Sequence, residues 1–266
     1  MKLTVGLLLG VQAWAQWVHY PTAGVPRNAK QEPNLNAPAP RQGGRPDFSG
    51  IWTEVNAKSN CPSGPLCVLQ MGLPPEARDI GVLVPGGLPY HADSKTLMDR
   101  RRLESSKDDP HARCTPPNFP RAYALPQFKK IVQTPGLLLM LHEFQGSFRQ
   151  VFTDGRPLPE ILQPAWSGYS SGKWEGDTLV IDSIGFRDGL WLDMLGNPLT
   201  DQARVTERLK RPNYGTLDVE VTINDPGAYT KPWTVKLNQT IVLDTELMDE
   251  ICTENERSAT HLVGGK

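Results

Sequence analysis

The residues best placed to do chemistry are carboxylates that interrupt apolar strand faces. In "GKWEGDTLVIDSIGF", Gly172 to Phe186, a two-residue period groups Asp182 with Thr178, Val180, Ile184 and Phe186. Leu179, Ile181 and Ser183 point the other way. In "ARVTERLKR", Glu207 shares a face with Val205 and Leu209. In "LLLMLHEF", Glu143 continues the face of Leu137, Leu139 and Leu141. An ordinary strand of this chain is "TLDVEVTI", with Leu217, Val219, Val221 and Ile223 on one face and Asp218, Glu220 and Thr222 on the other. Against that pattern Asp182, Glu207 and Glu143 are out of place. A buried carboxylate must be paired, hydrogen-bonded or protonated, because burial penalises its charge. Arg149, Arg204 and Arg208 lie on or beside the same strands, and Arg149 and Arg208 are the first candidates to pair with Asp182 and Glu207 in an interior cluster.

Such a cluster has three readings. Inside a barrel, Glu143, Arg149 and Arg208 would orient the polar group of a bound small molecule. Alternatively, Asp182 and Glu207 form an acid/base pair with pKa values pushed apart, which suits cofactor-independent hydrolysis or elimination, with saccharides as one substrate class. A structural salt-bridge layer with no ligand accounts for the same residues. Trp166, Tyr169, Trp174 and Trp191 fall close together in loops or at strand ends. Indole and phenol faces at a barrel mouth suit sugar rings or flat apolar ligands, although tryptophans also plug barrel ends.

Other motifs carry less. "GYSSG", Gly168 to Gly172, matches the G-x-S-x-G pattern around Ser170, but that pattern marks a nucleophile only on a strand-to-helix turn of an α/β sheet. Here a Pro-Trp loop precedes it and a hairpin follows. His142 and Glu143 are adjacent, so on a strand they face opposite ways. His111 and Cys114 have no partners at metal-ligand spacing, and no Cys-x-x-Cys occurs. The chain therefore implies no metal and no cofactor.

The elements that must position these residues are strands. From Lys129 the chain reads strand, turn, strand: "KKIVQT" to "LLLMLHEF" through Pro135-Gly136, then "FRQVFT" after Gln145-Gly146-Ser147. "SSGKW" turns into "TLVIDSIGF" at Glu175-Gly176-Asp177, "ARVTERLKR" meets "TLDVEVTI", and "PWTVKLNQTIVL" follows. We expect a mainly β protein: an antiparallel meander closing into a calycin-like barrel or a strongly curled sheet. Residues 21–128 hold 17 of the 25 prolines, so long Pro-rich loops and one or two short helices complete the expectation. "DFSGIWTEV" reads as the first strand. "ADSKTLMDRRRLESS" reads as a helix capped by Asp93 or Ser94, its triple arginine at 100–102 on a solvated face.

The chain divides into a signal peptide at 1–15, a disordered tail or linker at 16–44, and one barrel-like domain at 45–266. That domain comprises a loop-rich insertion at 56–128 and the strand meander at 129–254. The leader rests on a short apolar run ending in Ala13-Trp14-Ala15, too short to span a bilayer. Export to a secreted or periplasmic location fits four cysteines forming two disulfides, with Cys61–Cys67 and Cys114–Cys252 the favoured pairing. A formal net charge of −1 and a pI near 6.5 give no electrostatic basis for binding nucleic acid.

"RPDFSGIW" at 45–52, "FTDGRPLP" at 152–159, "GKWEGDTLVIDSIGF" at 172–186, "VTERLKR" at 205–211, "DPGAYTKPW" at 225–233 and "CTEN" at 252–255 together resemble one family. Its members are secreted bacterial proteins, numerous in soil bacteria such as acidobacteria, sharing P-D-[LF]-S-G-x-W, W-E-G-D-T-L-V and C-x-E-N blocks. The resemblance covers most of the chain from Arg45; it implies an exported domain and no particular mechanism. Separately, Gly50-Ile51-Trp52 resembles the Gly-x-Trp of lipocalin-type barrels, a fold-level similarity.

Overall fold

The computed structural model describes residues 21–56, 73–160, 163–248 and 250–252. The expected signal peptide, Cys61, Cys67 and the last three residues of "CTEN" lie outside the described residues. The longer strands are β3 (Gly50–Glu54), β4 (Lys129–Thr134), β5 (Leu137–His142), β6 (Ser147–Phe152), β7 (Tyr169–Glu175) and β8 (Thr178–Ile184), then β11 (Arg204–Lys210), β12 (Thr216–Asn224), β13 (Trp233–Lys236) and β14 (Gln239–Val242). Two-residue pieces form the pairs β1 (Arg41–Gln42) with β2 (Arg45–Pro46), and β9 (Leu190–Trp191) with β10 (Pro198–Leu199).

The ladders run β11–β8–β7–β6–β5–β4–β3–β14–β12, and β12 pairs back to β11, so 9 strands close a barrel. β13 lies beside β12 over Glu220–Ile223. Closure removes the free edges that an open sheet of this length would expose. Trp52, Leu138, Met140, Val151, Leu179, Ile181, Val205, Leu209, Val219 and Val221 point inward and are buried. Among the described residues these side chains fill the interior as a packed core.

The turns fall where Gly, Pro and Asn place them, and each predicted hairpin forms. The exception to the meander is β6–β7, which pair in parallel and only at Val151↔Ser170 and Phe152↔Ser171. Parallel neighbours need a crossover. Its described parts are residues 153–160 and 163–168: Gly155–Leu158 lie over the outer face of β7 and β8, beside Ser171, Lys173, Val180 and Asp182, and Ala165 bridges to Phe186.

Both barrel ends are closed. At the lower end, by the β7–β8 turn, Arg41 pairs with Asp177 at 2.8 Å and Arg45 donates to the Gly176 carbonyl. Phe48 packs on Trp174 with ring centres 5.3 Å apart. Residues 21–44, expected as a tail or linker, lie against the barrel: the Leu35 and Ala37 carbonyls accept from Gly215 and Tyr214 N–H at 2.8 Å, and Thr22 bonds Asp244. Prolines deny this segment a ladder of its own, but its carbonyls remain available to neighbours.

At the upper end, α3 (Arg121–Ala124) and its flanks plug the barrel. Lys129 points inward and its ammonium donates to the carbonyls of Ala122, Leu125 and Gln127 at 3.2, 2.8 and 3.0 Å. Burial pulls its pKa down to about 7, yet three acceptor oxygens use all three of its protons, and we read it as charged. Cys114 is bonded to Cys252, fastening the plug to the end of the described chain. Two further helices, α1 (Pro75–Arg78) and α2 (Ala92–Leu103), bring the total among the described residues to three short helices. His91, not Asp93 or Ser94, sits at the start of α2. Arg101 is not on a solvated face: it donates to the Gly196 carbonyl and stacks over Trp191 at 4.5 Å. Among the described residues no helix is long and apolar enough to cross a membrane.

Candidate functional site

Inside the barrel, four successive strands each send one polar side chain to a common point. Arg149 comes from β6, Ser170 from β7, Ser183 from β8 and Glu207 from β11. Arg149 Nε donates to Ser170 Oγ at 3.0 Å and Nη2 to Ser183 Oγ at 2.8 Å. Nη1 bridges both Glu207 oxygens at 2.9 and 2.8 Å, and the two serine hydroxyls bond each other at 2.9 Å. Register explains the convergence, since directly opposed residues share a face: Val151↔Ser170, Ser170↔Ser183 and Ser183↔Val205 put residues 149, 170, 183 and 207 on the inner side. Glu207 has no exposed surface and Arg149 is 3 % exposed. Burial pushes the Glu207 carboxyl above its usual range, and the Arg149 charge and hydrogen bonds pull it back only in part. Phe119 of the plug closes over the guanidinium at 5.3 Å.

Arg149 and Ser170 also meet a lateral cleft of about 540 Å³. It opens because β6 and β7 touch over two residues and then diverge toward the upper end. Phe148, Gln150 and Phe152 of β6 form one wall, Trp166, Ser167, Gly168 and Tyr169 the other, and Pro116, Pro117 and Gln145 the lip. Tyr169 stacks on Phe152 with ring centres 5.3 Å apart. Gly168 has φ +63°, and a Cβ there would lie 2.6 Å from the Ile184 carbonyl, so only glycine lets this wall approach β8 so closely. Gln145 Oε1 and Ser147 Oγ are buried beside the cleft with no hydrogen-bond partner among the described residues.

The structure brings together Glu207, Arg149, Trp166 and Tyr169 from the residues expected at the site. Asp182 is elsewhere. It sits opposite Thr206 on the outer face, accepting from Thr206 Oγ1 at 2.6 Å and pairing with Arg204 at 2.8 Å. Those bonds hold its pKa below the usual range despite partial burial, which opposes them. The alternation in "TLVIDSI" assigned the wrong face to the interior because the crossover covers the outer one: Val180 is buried there. Asp182 and Glu207 therefore lie on opposite sides of the barrel wall and are no acid/base pair.

Arg208 also faces out, pairing with Glu175 at 3.1 Å. Glu143 follows the end of β5 and accepts from Phe128 N–H at 3.2 Å and Met248 N–H at 2.9 Å, which ties the plug to the C-terminal segment. On β5 the inward face is Leu138, Met140 and His142, not the leucine face that ends at Glu143. Trp174 is at the lower end against Phe48, and Trp191 is buried in β9 under Arg101. Neither lines the cleft.

Ser170 is the middle residue of "GYSSG", but it begins a strand paired to β8 and its hydroxyl contacts Arg149 and Ser183, with no base in hydrogen-bond reach. Sequence reasoning did not assign Ser183, Phe148, Phe152 or Gln145 to the site. For β6 a signal existed: Ser147, Arg149 and Val151 alternate with Phe148, Gln150 and Phe152, so the buried arginine marks the inner face. Among the described residues no group of three or more His, Cys, Asp or Glu could hold a metal ion. No family model, no curated protein and no solved structure matches the chain.

Proposed function

We propose that this is an exported protein that binds a small, uncharged ligand in the cleft between β6 and β7, with Trp166 and Tyr169 as its aromatic wall. The observation that carries the reading is the state of the floor. Arg149 commits its guanidinium to Glu207, Ser170 and Ser183, so the cleft presents aromatic faces over a neutralised, rigid polar base. Among the described residues, the one charged residue lining the cleft, Arg149, is already paired, so a neutral, flat or apolar ligand gains contact area with the walls at little cost in desolvated charge. What supports export is the leader-like apolar run near Ala13-Trp14-Ala15 and the Cys114–Cys252 bond, which suits an oxidising compartment. The secreted family that the chain resembles agrees with that location. Separation of Asp182 from Glu207 removes the support for acid/base catalysis.

Energy transfer from tryptophan to the neutral probe N-phenyl-1-naphthylamine tests this. Saturable transfer is expected in the native protein and in Trp174→Ala, and its loss in Trp166→Ala with an unchanged melting temperature. Equal binding by Trp166→Ala would contradict the assignment.

A further inference from the structure

The cleft has a second feature, in its main chain. In the β5–β6 ladder, Thr153 N–H bonds the Gly136 carbonyl, so by alternation the N–H and C=O groups of Ser147, Arg149 and Val151 turn toward β5. Those of Phe148, Gln150 and Phe152 turn the other way, toward β7. Pairing with β7 covers only Val151 and Phe152, and in that parallel register the Gln150 carbonyl serves Ser170. The N–H and C=O of Phe148 and the N–H of Gln150 are left facing the cleft, with no strand beside them among the described residues.

Among the described residues, neither the lip nor the opposite wall supplies the missing partner. The lip carries Pro116 and Pro117, which have no N–H to donate to the Phe148 carbonyl, and among the described residues their carbonyls accept from neither Phe148 nor Gln150. On the opposite side, Ala165 N–H bonds the Gly185 carbonyl, and Ala165 C=O accepts from Arg187 and Gly168, so these groups are committed away from β6. This is a short open strand edge beside aromatic rings.

We infer that the ligand of this cleft is a short extended peptide with uncharged side chains, adding as a partial strand to Phe148–Gln150 of β6. The inference rests on the cleft being a binding site and adds the ligand's class. An extended peptide offers a carbonyl and an N–H at the spacing of these free groups, the mode by which sheet edges take up peptides. Its side chains would stand alternately toward Phe148 and Tyr169 and toward the floor at Arg149 and Ser170. Charge also fits: Arg149, the charged residue among those lining the cleft, is neutralised by Glu207. A ring-shaped ligand without amides would cover these main-chain groups and leave them without partners.

The probes are acetyl-Val-Thr-Val-amide and the same tripeptide methylated on its central nitrogen, titrated into ¹⁵N-labelled native protein. The unmethylated peptide should shift the amides of Phe148 and Gln150 and the indole of Trp166, and displace N-phenyl-1-naphthylamine. Methylation, which removes one donor, should weaken binding about tenfold. Equal affinity for the two peptides, or shifts elsewhere, overturns the inference. If the naphthylamine binds and neither peptide does, the cleft remains a binding site and the peptide class is wrong. If none binds, the site itself is wrong and the inference falls with it. Concentration-dependent dimerisation that shifts the same two amides without peptide would give the edge to a second copy of this chain, and would also overturn it.

Discussion

Arg149 Nη1 lies 2.9 and 2.8 Å from the two carboxylate oxygens of Glu207, and neither side chain reaches solvent to any extent. One guanidinium thereby ties β6, β7, β8 and β11 together at the height where β6 and β7 separate. The pair does two jobs in our account. It stiffens the barrel beside the parallel β6–β7 junction, and it removes charge from the floor of the cleft.

Breaking that pair should be costly. Arg149→Met strands a carboxylate and Glu207→Gln strands a guanidinium, and each should lose about 3–5 kcal/mol in urea unfolding at neutral pH. Arg149→Met/Glu207→Leu together should recover much of the loss, because two apolar groups of similar volume leave nothing unpaired. In Arg149→Met the folded-state pKa of Glu207 rises further above its unfolded value, so that variant should regain stability as the pH falls from neutral toward 4.5.

Asp182→Asn should behave as a surface change. Its partner Arg204 is half exposed, and exposed pairs are worth about 0.2–1 kcal/mol. Urea unfolding should shift by no more than that, and probe binding should be unaltered. A loss of several kcal/mol would return Asp182 to the core.

Acid sensitivity should come from buried histidine. His142 points into the barrel against Phe119, and burial, then the Lys129 charge, pushes its pKa down to about 3. In the unfolded chain a histidine takes up a proton below about pH 6.5, whereas folded His142 resists until near 3. The unfolded state thus binds the extra proton across that window, and stability falls as the pH drops through it, by up to about 1.4 kcal/mol per pH unit for one such group. His142→Phe should flatten this slope in melts between pH 6.5 and 4. An unchanged slope would show that His142 is protonated in the fold.

Loss of the Cys114–Cys252 bond should loosen the plug. The bond closes a loop of 138 residues, and Cys114→Ser/Cys252→Ser should cost about 2–5 kcal/mol in thermal unfolding. Hydrogen exchange should rise first around Asn118–Leu125, which the bond holds over the barrel end. Uniform change across the barrel would argue against a local anchor.

The barrel was legible because its strands obey a period of two and its turns carry Gly, Pro or Asn. Glu207 was legible for the same reason, since it breaks an apolar face that the fold does bury, whereas Arg149 was legible only as a cation on a neighbouring strand. Asp182 and Glu143 misled because period alone does not say which face is inside. On β8 the crossover buries part of the outer face, and on β5 both faces are apolar, so the composition of neighbouring loops decided the matter. The cleft was legible only as a concentration of aromatics around Trp166 and Tyr169. Its cause, a strand pair that joins in parallel for two residues and then splays, depends on how residues 153–168 cross the barrel, which no local pattern encodes.

The most direct test of the central claim is to locate bound N-phenyl-1-naphthylamine by amide shifts in ¹⁵N-labelled protein. The account predicts perturbations confined to residues 145–152 and 165–170, the two walls of the cleft. Shifts centred instead on Gln42–Arg45, Gln133–Leu138 and Trp174, which line a smaller hollow of about 210 Å³ at the lower barrel end, would contradict it.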